Sequence, residues 1–296
     1  MNILKAFKND RLMKSLTWLS IKEFNDLLPS FEKLYIELAN KKERKRKYWW
    51  WRKGELKTIE HKLFFILFYL KIYPTYDLGW FIFWWVDRSK VCLWVKRLLP
   101  ILRDVLWREL VLPQRKITSV DEFIRNFPNV KDLFLDWTER RIQRPNKPKN
   151  QKKNYSWKKK THTRKNTIWS DKDKRIILVS PTKNWRCHDK KQFDKNWGLE
   201  NIPDDVWKWT DTWFQWIDKI YKNVFIPKKR SKNNILSKED IENNKIISSF
   251  RIVVEHAIWW IKRFNCLSNL YRNKKWMDDM LIITCAGLWN YHLRSS

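Results

Sequence analysis

The sequence predicts two kinds of architecture in one chain, an all-helical N-terminal region followed by an α/β domain. Apolar residues recur at helical spacing up to about Leu106, and from about residue 128 the period changes to that of buried strands. A long helical pattern over residues 237–264 then follows the strands. Strands followed by helices are typical of an α/β domain, so we expect the chemistry of the protein in its second half.

The charge of the chain indicates a polyanionic partner. Lysine and arginine number 63 and aspartate and glutamate 32 in 296 residues, a formal net charge of +31. A basic protein that neutralises phosphates gains affinity by releasing counterions, whereas such an excess of positive charge repels itself without a partner. The sequence therefore predicts binding to nucleic acid.

Several classes of protein are not expected. The longest apolar run, residues 63–70, has eight residues, far short of the roughly 18 that a membrane helix needs. The N-terminus lacks a signal-peptide pattern. The four cysteines never approach C-x-x-C spacing and the five histidines never H-x-x-x-H spacing, so neither a disulfide framework nor a zinc site is expected. We expect a cytoplasmic protein without a membrane span.

Residues 1–57 are interpreted as a helical arm and a basic connector. Ser20 and Glu23 have the spacing of a capping box at the start of a helix, and Phe24, Leu27 and Phe31 follow at helical spacing. The run of Lys, Arg and Glu over residues 41–47 is typical of a solvated or phosphate-contacting loop.

Residues 58–111 are interpreted as a helix-turn-helix domain. Three helical patterns cover residues 60–72, 75–83 and 87–106, and the last two are separated by residues 84–86, where such a motif needs a turn. Asp87 can cap the third helix, which would present Arg88, Ser89, Lys90 and Lys96 to the DNA major groove. An ordinary three-helix bundle is the alternative.

Residues 112–296 are interpreted as the α/β catalytic domain. Basic residues number 12 between Arg140 and Lys165, a segment without Asp or Glu. A hairpin is expected over 161–181 with residues 171–174 as its turn, and Ser237 with Asp240 is expected to cap the long helix. The expected strands are 130–136, 161–170, 175–181, 206–211 and 224–227. A short helix or turn is expected at 188–194 and a long helix at 237–264.

The tryptophan and glycine contents are both unusual. Trp occurs 22 times and Gly 4 times, although average usage predicts about 20 glycines. Three successive indoles at residues 49–51, amid Lys and Arg, make no packing sense, whereas a glycine run does. We predict that many of these codons are UGA read as glycine in the source, so that Trp stands where the natural protein has Gly. A base-stacking aromatic surface is the alternative, but it would not explain the missing glycines.

Three acids are candidate metal ligands. Asp136 and Asp211 end expected strands, and Glu255 lies inside the long helix. Carboxylate oxygens suit Mg²⁺, and two ions about 4 Å apart can clamp both sides of a phosphoryl displacement. Because the chain has 32 acids, three near element ends can also arise by chance, and Glu255 can instead form a surface ion pair with Arg251.

The motifs of the second half together resemble DDE transposases of the insertion-sequence-five and Harbinger-like groups. Family members read D-G-T-E-R, Y-S-G-K-K-K, G-S-x-H-D, D-x-G-F/Y-Q-G and V-V-E-H-x-I-G-x-I-K-R-F where this chain has its own versions. The matching segments are LDWTER at 135–140, QRP at 143–145, YSWKKK at 155–160, CHD at 187–189, DTWFQW at 211–216 and VVEHAIWWIKRF at 253–264. Almost every mismatch is Trp for Gly, which supports the codon hypothesis.

The resemblance implies an RNase H-like catalytic domain in which a mixed sheet is flanked by helices. Asp136 would lie on its first strand, Asp211 on its fourth, and Glu255 on the helix after the fifth, and together they would bind two Mg²⁺ or Mn²⁺ ions. The implied reaction is cleavage at the ends of an insertion sequence followed by strand transfer into target DNA. Arg144, Lys158, Lys159, Lys160 and Lys262 would contact DNA phosphates, and a homo-oligomer assembled on DNA in the bacterial nucleoid is expected. The alternative is a non-catalytic DNA-binding protein derived from a transposase.

Overall fold

The chain folds into two compact units, each described here by itself. A computed structural model describes residues 3–40, 56–83, 87–186, 199–211, 214, 217, 221–229, 236–273 and 275–295. The first unit comprises residues 1–112, 262–269 and 274–296, and the second comprises residues 113–261 and 270–273. The predicted short helix or turn at 188–194, the turn at 84–86 and the indoles at 49–51 lie outside the described residues.

Every regular element described in the first unit is a helix. The capping box predicted at its third helix is confirmed, because Ser20 N–H donates to Glu23 Oε2 at 2.7 Å and Glu23 N–H donates to Ser20 Oγ at 3.2 Å. The helices are α1 (Ile3–Ala6), α2 (Asp10–Thr17), α3 (Ile21–Asn40), α4 (Ile59–Ile72), α5 (Tyr76–Ile82), α6 (Arg88–Arg108), α10 (Asn265–Ser268) and α11 (Lys275–Ser295).

One backbone position in this unit bears on the codon hypothesis. Trp18 ends α2 with φ 81° and ψ −28°, and its N–H donates to Lys14 O. A left-handed residue that closes a helix in this way is usually glycine, since a Cβ is disfavoured there. This backbone geometry therefore favours glycine at position 18 of the natural protein, a position that the sequence analysis did not single out.

The last helix packs with the N-terminal helices. α11 lies against α6, and at Gly287 an added Cβ would stand 3.0 Å from Leu112 Cδ1 and 3.2 Å from Leu106 Cδ1. α11 thus belongs to the first compact unit, whereas the predicted catalytic domain of residues 112–296 includes it, and those domain bounds stay a prediction.

The second unit is a mixed sheet flanked by helices. The strand order is β2-β3-β1-β6-β7, and both β4 and β5 pair with β3. β1 is antiparallel to β3 and parallel to β6, and β6 is parallel to β7, which is the mixed sheet expected of an RNase H-like domain. The elements are α7 (Val120–Asn126), β1 (Asp132–Arg141), α8 (Pro148–Asn154), β2 (Tyr155–Ser156), β3 (Thr161–Ser170), β4 (Ile176–Val179), β5 (Lys183–Asn184), a short 3₁₀ turn (Leu199–Asn201), β6 (Trp207–Trp209), β7 (Val224–Phe225) and α9 (Lys238–Ile261).

Most of the expected elements of this unit are confirmed, with corrections of extent. The strand expected over 206–211 ends at Trp209, so Asp211 lies beyond it, and the helix expected over 237–264 spans Lys238–Ile261. The 161–181 hairpin and the long capped helix are present, and Asp240 N–H donates to Ser237 Oγ at 3.0 Å. β1 continues to Arg141 instead of ending at Asp136. Sequence reasoning ended this strand too early because the polar residues after Asp136 break the apolar run, although they still pair with β3.

The two faces of β1 point to different partners. Leu133 and Leu135 lie in an apolar core with Phe123 of α7 and Trp169 of β3. Side chains alternate along a strand, so residue 134 faces the other way, and the Phe134 ring lies 6.1 Å from Phe250 of α9. Asp136 shares that second face, which places its carboxylate on the α9 side of the sheet.

Candidate active site

Asp136 and Asp211 lie on neighbouring parallel strands at matching heights. Phe134 on β1 pairs with Trp209 on β6. Continuing this register by two residues brings Asp136 level with Asp211, which lies two residues beyond the end of β6. Parallel strands carry their side chains to the same side at paired positions, so the two carboxylates belong to one face of the sheet.

Helix α9 supplies the third acid and a cation. Arg251 and Glu255 are four residues apart and therefore neighbours on one helix face. Arg251 Nη1 lies 3.3 Å from Asp211 Oδ1, and Arg251 Nη2 lies 3.3 Å from Glu255 Oε1. The guanidinium thus joins the acid after β6 to the acid on the helix.

The environment of Asp136 reflects the nearby charges. The pKa of the Asp136 carboxyl is raised to about 6, mainly by burial and in smaller part by the like charges of Asp211 and Glu255. Opposing this, the Trp137 N–H donates to Asp136 Oδ1 at 2.7 Å, and the Arg251 guanidinium also lowers the pKa. Three acids that are 44 to 119 residues apart in the sequence therefore interact at one site.

The carboxylates of Asp136, Asp211 and Glu255 are chemically suited to a hard divalent cation, although they do not stand close enough together to coordinate one. Three carboxylates supply the oxygen ligands that Mg²⁺ and Mn²⁺ prefer. Within the part of the chain that the structure describes, no three His, Cys, Asp or Glu side chains stand close enough together to hold a metal ion. Positive charge between Asp211 and Glu255 is supplied by Arg251, so a cation at this position would have to take over those contacts.

Sequence reasoning missed the contact between Arg251 and Asp211 and a buried polar network farther along β1. Arg140 is 3% exposed, and its Nη2 donates to Asn166 Oδ1 at 2.8 Å and to Thr182 Oγ1 at 3.0 Å. Asn166 Nδ2 in turn donates to Ser180 O at 2.7 Å. Residues 136, 138 and 140 lie on the same face of the strand, because side chains alternate along it. All three are polar, so extending the strand beyond Asp136 would have predicted a polar row on this face.

The predicted DNA-contacting residues lie in different parts of the chain. Arg88, Ser89 and Lys90 are exposed in the first turn of α6, and the predicted cap is confirmed, since Ser89 N–H donates to Asp87 Oδ1 at 2.7 Å. Lys96 is half-buried farther along the same helix.

The basic residues of the second half are mostly on the surface. Arg144 is exposed after β1, and so are Lys158, Lys159 and Lys160 in the turn between β2 and β3. Lys262 directly follows α9 and is half-buried. The Cys-His-Asp motif at 187–189 lies outside the described residues.

Comparison with known proteins identifies the class. The profile of the DDE superfamily endonuclease family matches residues 135–290, which include all three candidate acids. The chain belongs to this family.

A curated relative carries a more particular name. The chain is 33% identical over 256 residues to the protein described as "Probable transposase for insertion sequence element IS702" of Microchaete diplosiphon, and the match covers 86% of this chain and 87% of that protein. No solved structure matches the chain. None of the described helices combines the length and apolar character needed to cross a membrane.

Proposed function

We propose that the protein is the DNA transposase of an insertion sequence, which cleaves DNA at the ends of its element and joins them to target DNA. The observation that supports this proposal most is that Asp136 and Asp211 lie on one face of an RNase H-like sheet, and that Arg251 links Asp211 to Glu255 of α9. The family membership and the relative named as an insertion-sequence transposase support it.

In this proposal the three carboxylates hold two Mg²⁺ or Mn²⁺ ions. Such ions, when bound, stabilise negative charge on the attacked phosphate and favour deprotonation of the attacking hydroxyl. Asp136 is held on a central strand and Asp211 at the end of its parallel neighbour, so the sheet fixes their separation. Glu255 approaches from α9, and the bound ions would replace its contact with Arg251, which is 3.3 Å long.

The basic surface positions the DNA. Arg88, Ser89, Lys90 and Lys96 of α6 would read or contact the terminal repeats as part of a helix-turn-helix domain over residues 58–111. Phosphates near the carboxylates would be contacted by Arg144, Lys158, Lys159, Lys160 and Lys262. We place the protein in the bacterial cytoplasm, bound to the nucleoid as a homo-oligomer on double-stranded DNA.

Nicking of DNA that carries the terminal repeats, in Mg²⁺ or Mn²⁺ and with the full chain, tests this proposal. Asp136→Asn should lower the nicking rate at least about a thousandfold, because a neutral amide cannot replace the charged ligand. Asp132→Asn on the same strand is the matched control: Asp132 Oδ1 accepts from Trp209 Nε1 at 2.8 Å, and an amide oxygen can do the same. Nicking that survives Asp136→Asn would contradict the site.

A second candidate function is a DNA-binding protein that keeps the fold without the reaction. The contact of Arg251 with both Asp211 and Glu255 favours it, because a guanidinium in that position serves as a fixed structural cation. Tight binding to terminal-repeat DNA without any metal-dependent nicking would support this function over transposition.

A further inference from the structure

A cleft lies beside the β2–β3 hairpin of the second unit, and Arg144 is the one described lining residue to which a DNA contact is assigned above. It encloses about 660 Å³, within the range of roughly 300–1,000 Å³ that is usual for small-ligand sites. Its lining combines the aromatic rings of Tyr155 and His162 with the cations Arg144, Lys152 and Arg186. None of the described residues that line it is acidic.

The cations of the cleft are held by defined contacts. Arg144 Nη2 donates to Gln151 Oε1 at 3.2 Å, and Gln151 Nε2 donates to Pro145 O at 2.8 Å, so the guanidinium is held against α8. The Arg186 N–H donates to Lys153 O at 3.0 Å, which ties the backbone of Arg186 to the end of α8. Residues on and around α8 therefore supply the positive charge of the cleft.

The aromatic rings are placed by the hairpin itself. Tyr155 pairs with His162 across β2 and β3, and the two ring centroids lie 5.5 Å apart at an interplanar angle of 72°. An edge-to-face contact of this kind covers one face of one ring only. Tyr155 and His162 are both half-buried, so part of each side chain stays exposed to a ligand.

We infer that this cleft binds one unpaired nucleotide of the DNA held by the protein, with its base against Tyr155 and its phosphate between Arg144, Lys152 and Arg186. Stacking on an aromatic side chain is how proteins hold single bases, and cations without nearby acids suit the attached phosphate. A paired base cannot reach these rings without leaving its stack, so the ligand is an extrahelical or single-stranded nucleotide. The inference rests in part on the proposed function, which makes DNA the substrate.

The inference does not depend on the indoles of the cleft. Trp157 lies at 5.1 Å from the Tyr155 ring, and Trp185 also lines the cleft. If residue 157 is glycine in the natural protein, as the motif comparison predicts, the cleft becomes wider while Tyr155, His162 and the three cations remain. The base-stacking ring of the proposal is therefore Tyr155.

Competition between two DNAs tests the inference with the full chain. One DNA is a blunt duplex with the terminal-repeat sequence, and the other carries one additional unpaired nucleotide. Wild-type protein should prefer the second DNA by about tenfold, the size of one stacked base. Tyr155→Ala should remove this preference without changing the affinity for the blunt duplex, and Tyr155→Phe, which keeps the ring, should retain it.

A second measurement maps the contact directly. A photoreactive pyrimidine at the unpaired position should cross-link to Tyr155 or His162 in the wild-type protein, whereas the same base in a paired position should not. Equal preference in wild type and Tyr155→Ala, or cross-links that lie elsewhere, would overturn the inference. Tighter binding of a free deoxynucleoside monophosphate than of the unpaired base would overturn its assignment to DNA.

The two proposals fail in different ways. If the blunt duplex binds and is nicked but no preference for the unpaired nucleotide exists, the cleft inference alone is wrong. If neither DNA binds, the proposed transposase function is wrong as well.

Discussion

Two aspartates of the second unit have similar local chemistry and different surroundings. Burial raises the pKa of both Asp136 and Asp171 to about 6. Asp171 lies in the β3–β4 turn, where its Oδ1 accepts from Asp173 N–H at 3.0 Å and from Arg175 N–H at 2.9 Å. The charged groups that shift its pKa most, Asp173 and Arg175, belong to that same turn.

Asp136 differs in the origin of its neighbours. The acids that raise its pKa are Asp211 and Glu255, which come from the end of another strand and from a helix. A turn can produce a shifted carboxyl wherever it is buried, but acids distant in sequence meet only if the fold brings them together. A raised pKa by itself is therefore weak evidence of a catalytic acid, and convergence of distant charges is stronger evidence.

The largest expected effect is a loss of nicking activity when the acids near Asp136 are changed, but not when the acid near Asp171 is changed. Asp211→Asn and Glu255→Gln should each lower metal-dependent nicking at least about a hundredfold, because each removes a charged oxygen ligand. Asp173→Asn, which changes the neighbour of Asp171 in the same way, should leave the rate within about twofold. Single-turnover nicking assays measure all three, and an equal loss for Asp173→Asn would remove the distinction.

The next expected effect concerns stability and its dependence on pH. In Asp171→Asn the amide oxygen can still accept both backbone hydrogen bonds, while the cost of burying a charge disappears. The variant should be more stable than wild type by up to about 3 kcal/mol at pH 7. Urea unfolding at pH 4 and pH 7 measures the difference.

The sign follows from the direction of the shift. The carboxyl of Asp171 has a folded-state pKa of about 6 against an ordinary value of 3.8. The folded protein therefore favours the protonated carboxyl. The stability that this carboxyl contributes is fully present below about pH 4 and is lost as the pH rises through 6. The advantage of Asp171→Asn should be near zero at pH 4 and largest at pH 7. A variant less stable than wild type at pH 7 would show that the turn requires the charge.

Much of the fold could be predicted from the sequence because its signals are local. Ser237 and Asp240 gave the start of α9, and Asp87 the start of α6, since caps act within one turn of helix. The β3–β4 hairpin followed from two apolar runs and the polar turn that contains Asp171. The end of β1 was missed because residues 137–141 are ordered by pairing with β3, which comes from a distant part of the sequence.

The candidate site was less accessible to local reasoning. The family motifs indicated Asp136, Asp211 and Glu255, but spacing alone could not bring them together. The helix periodicity placed Arg251 beside Glu255, yet its contact with Asp211 depends on the side of the sheet that α9 covers. Phe134 and Phe250 settle that side, and their contact joins residues 116 positions apart.

The smallest expected effect distinguishes the two arginines that accompany these aspartates. Arg251→Ala leaves Asp211 and Glu255 without their shared cation, so in EDTA the variant should be less stable than wild type by about 1–2 kcal/mol. At a free concentration of ten times Kd, Mg²⁺ should then stabilise the variant by about 1.4 kcal/mol. It should stabilise wild type less, because in wild type the ion competes with the guanidinium of Arg251.

Arg175→Ala is the matched control, since it removes the cation beside Asp171. The free energy of unfolding of this variant should be the same in EDTA and in Mg²⁺. Thermal unfolding in both conditions measures each difference, and a similar response of the two variants to Mg²⁺ would mean that Arg251 does not occupy the position of a metal ion.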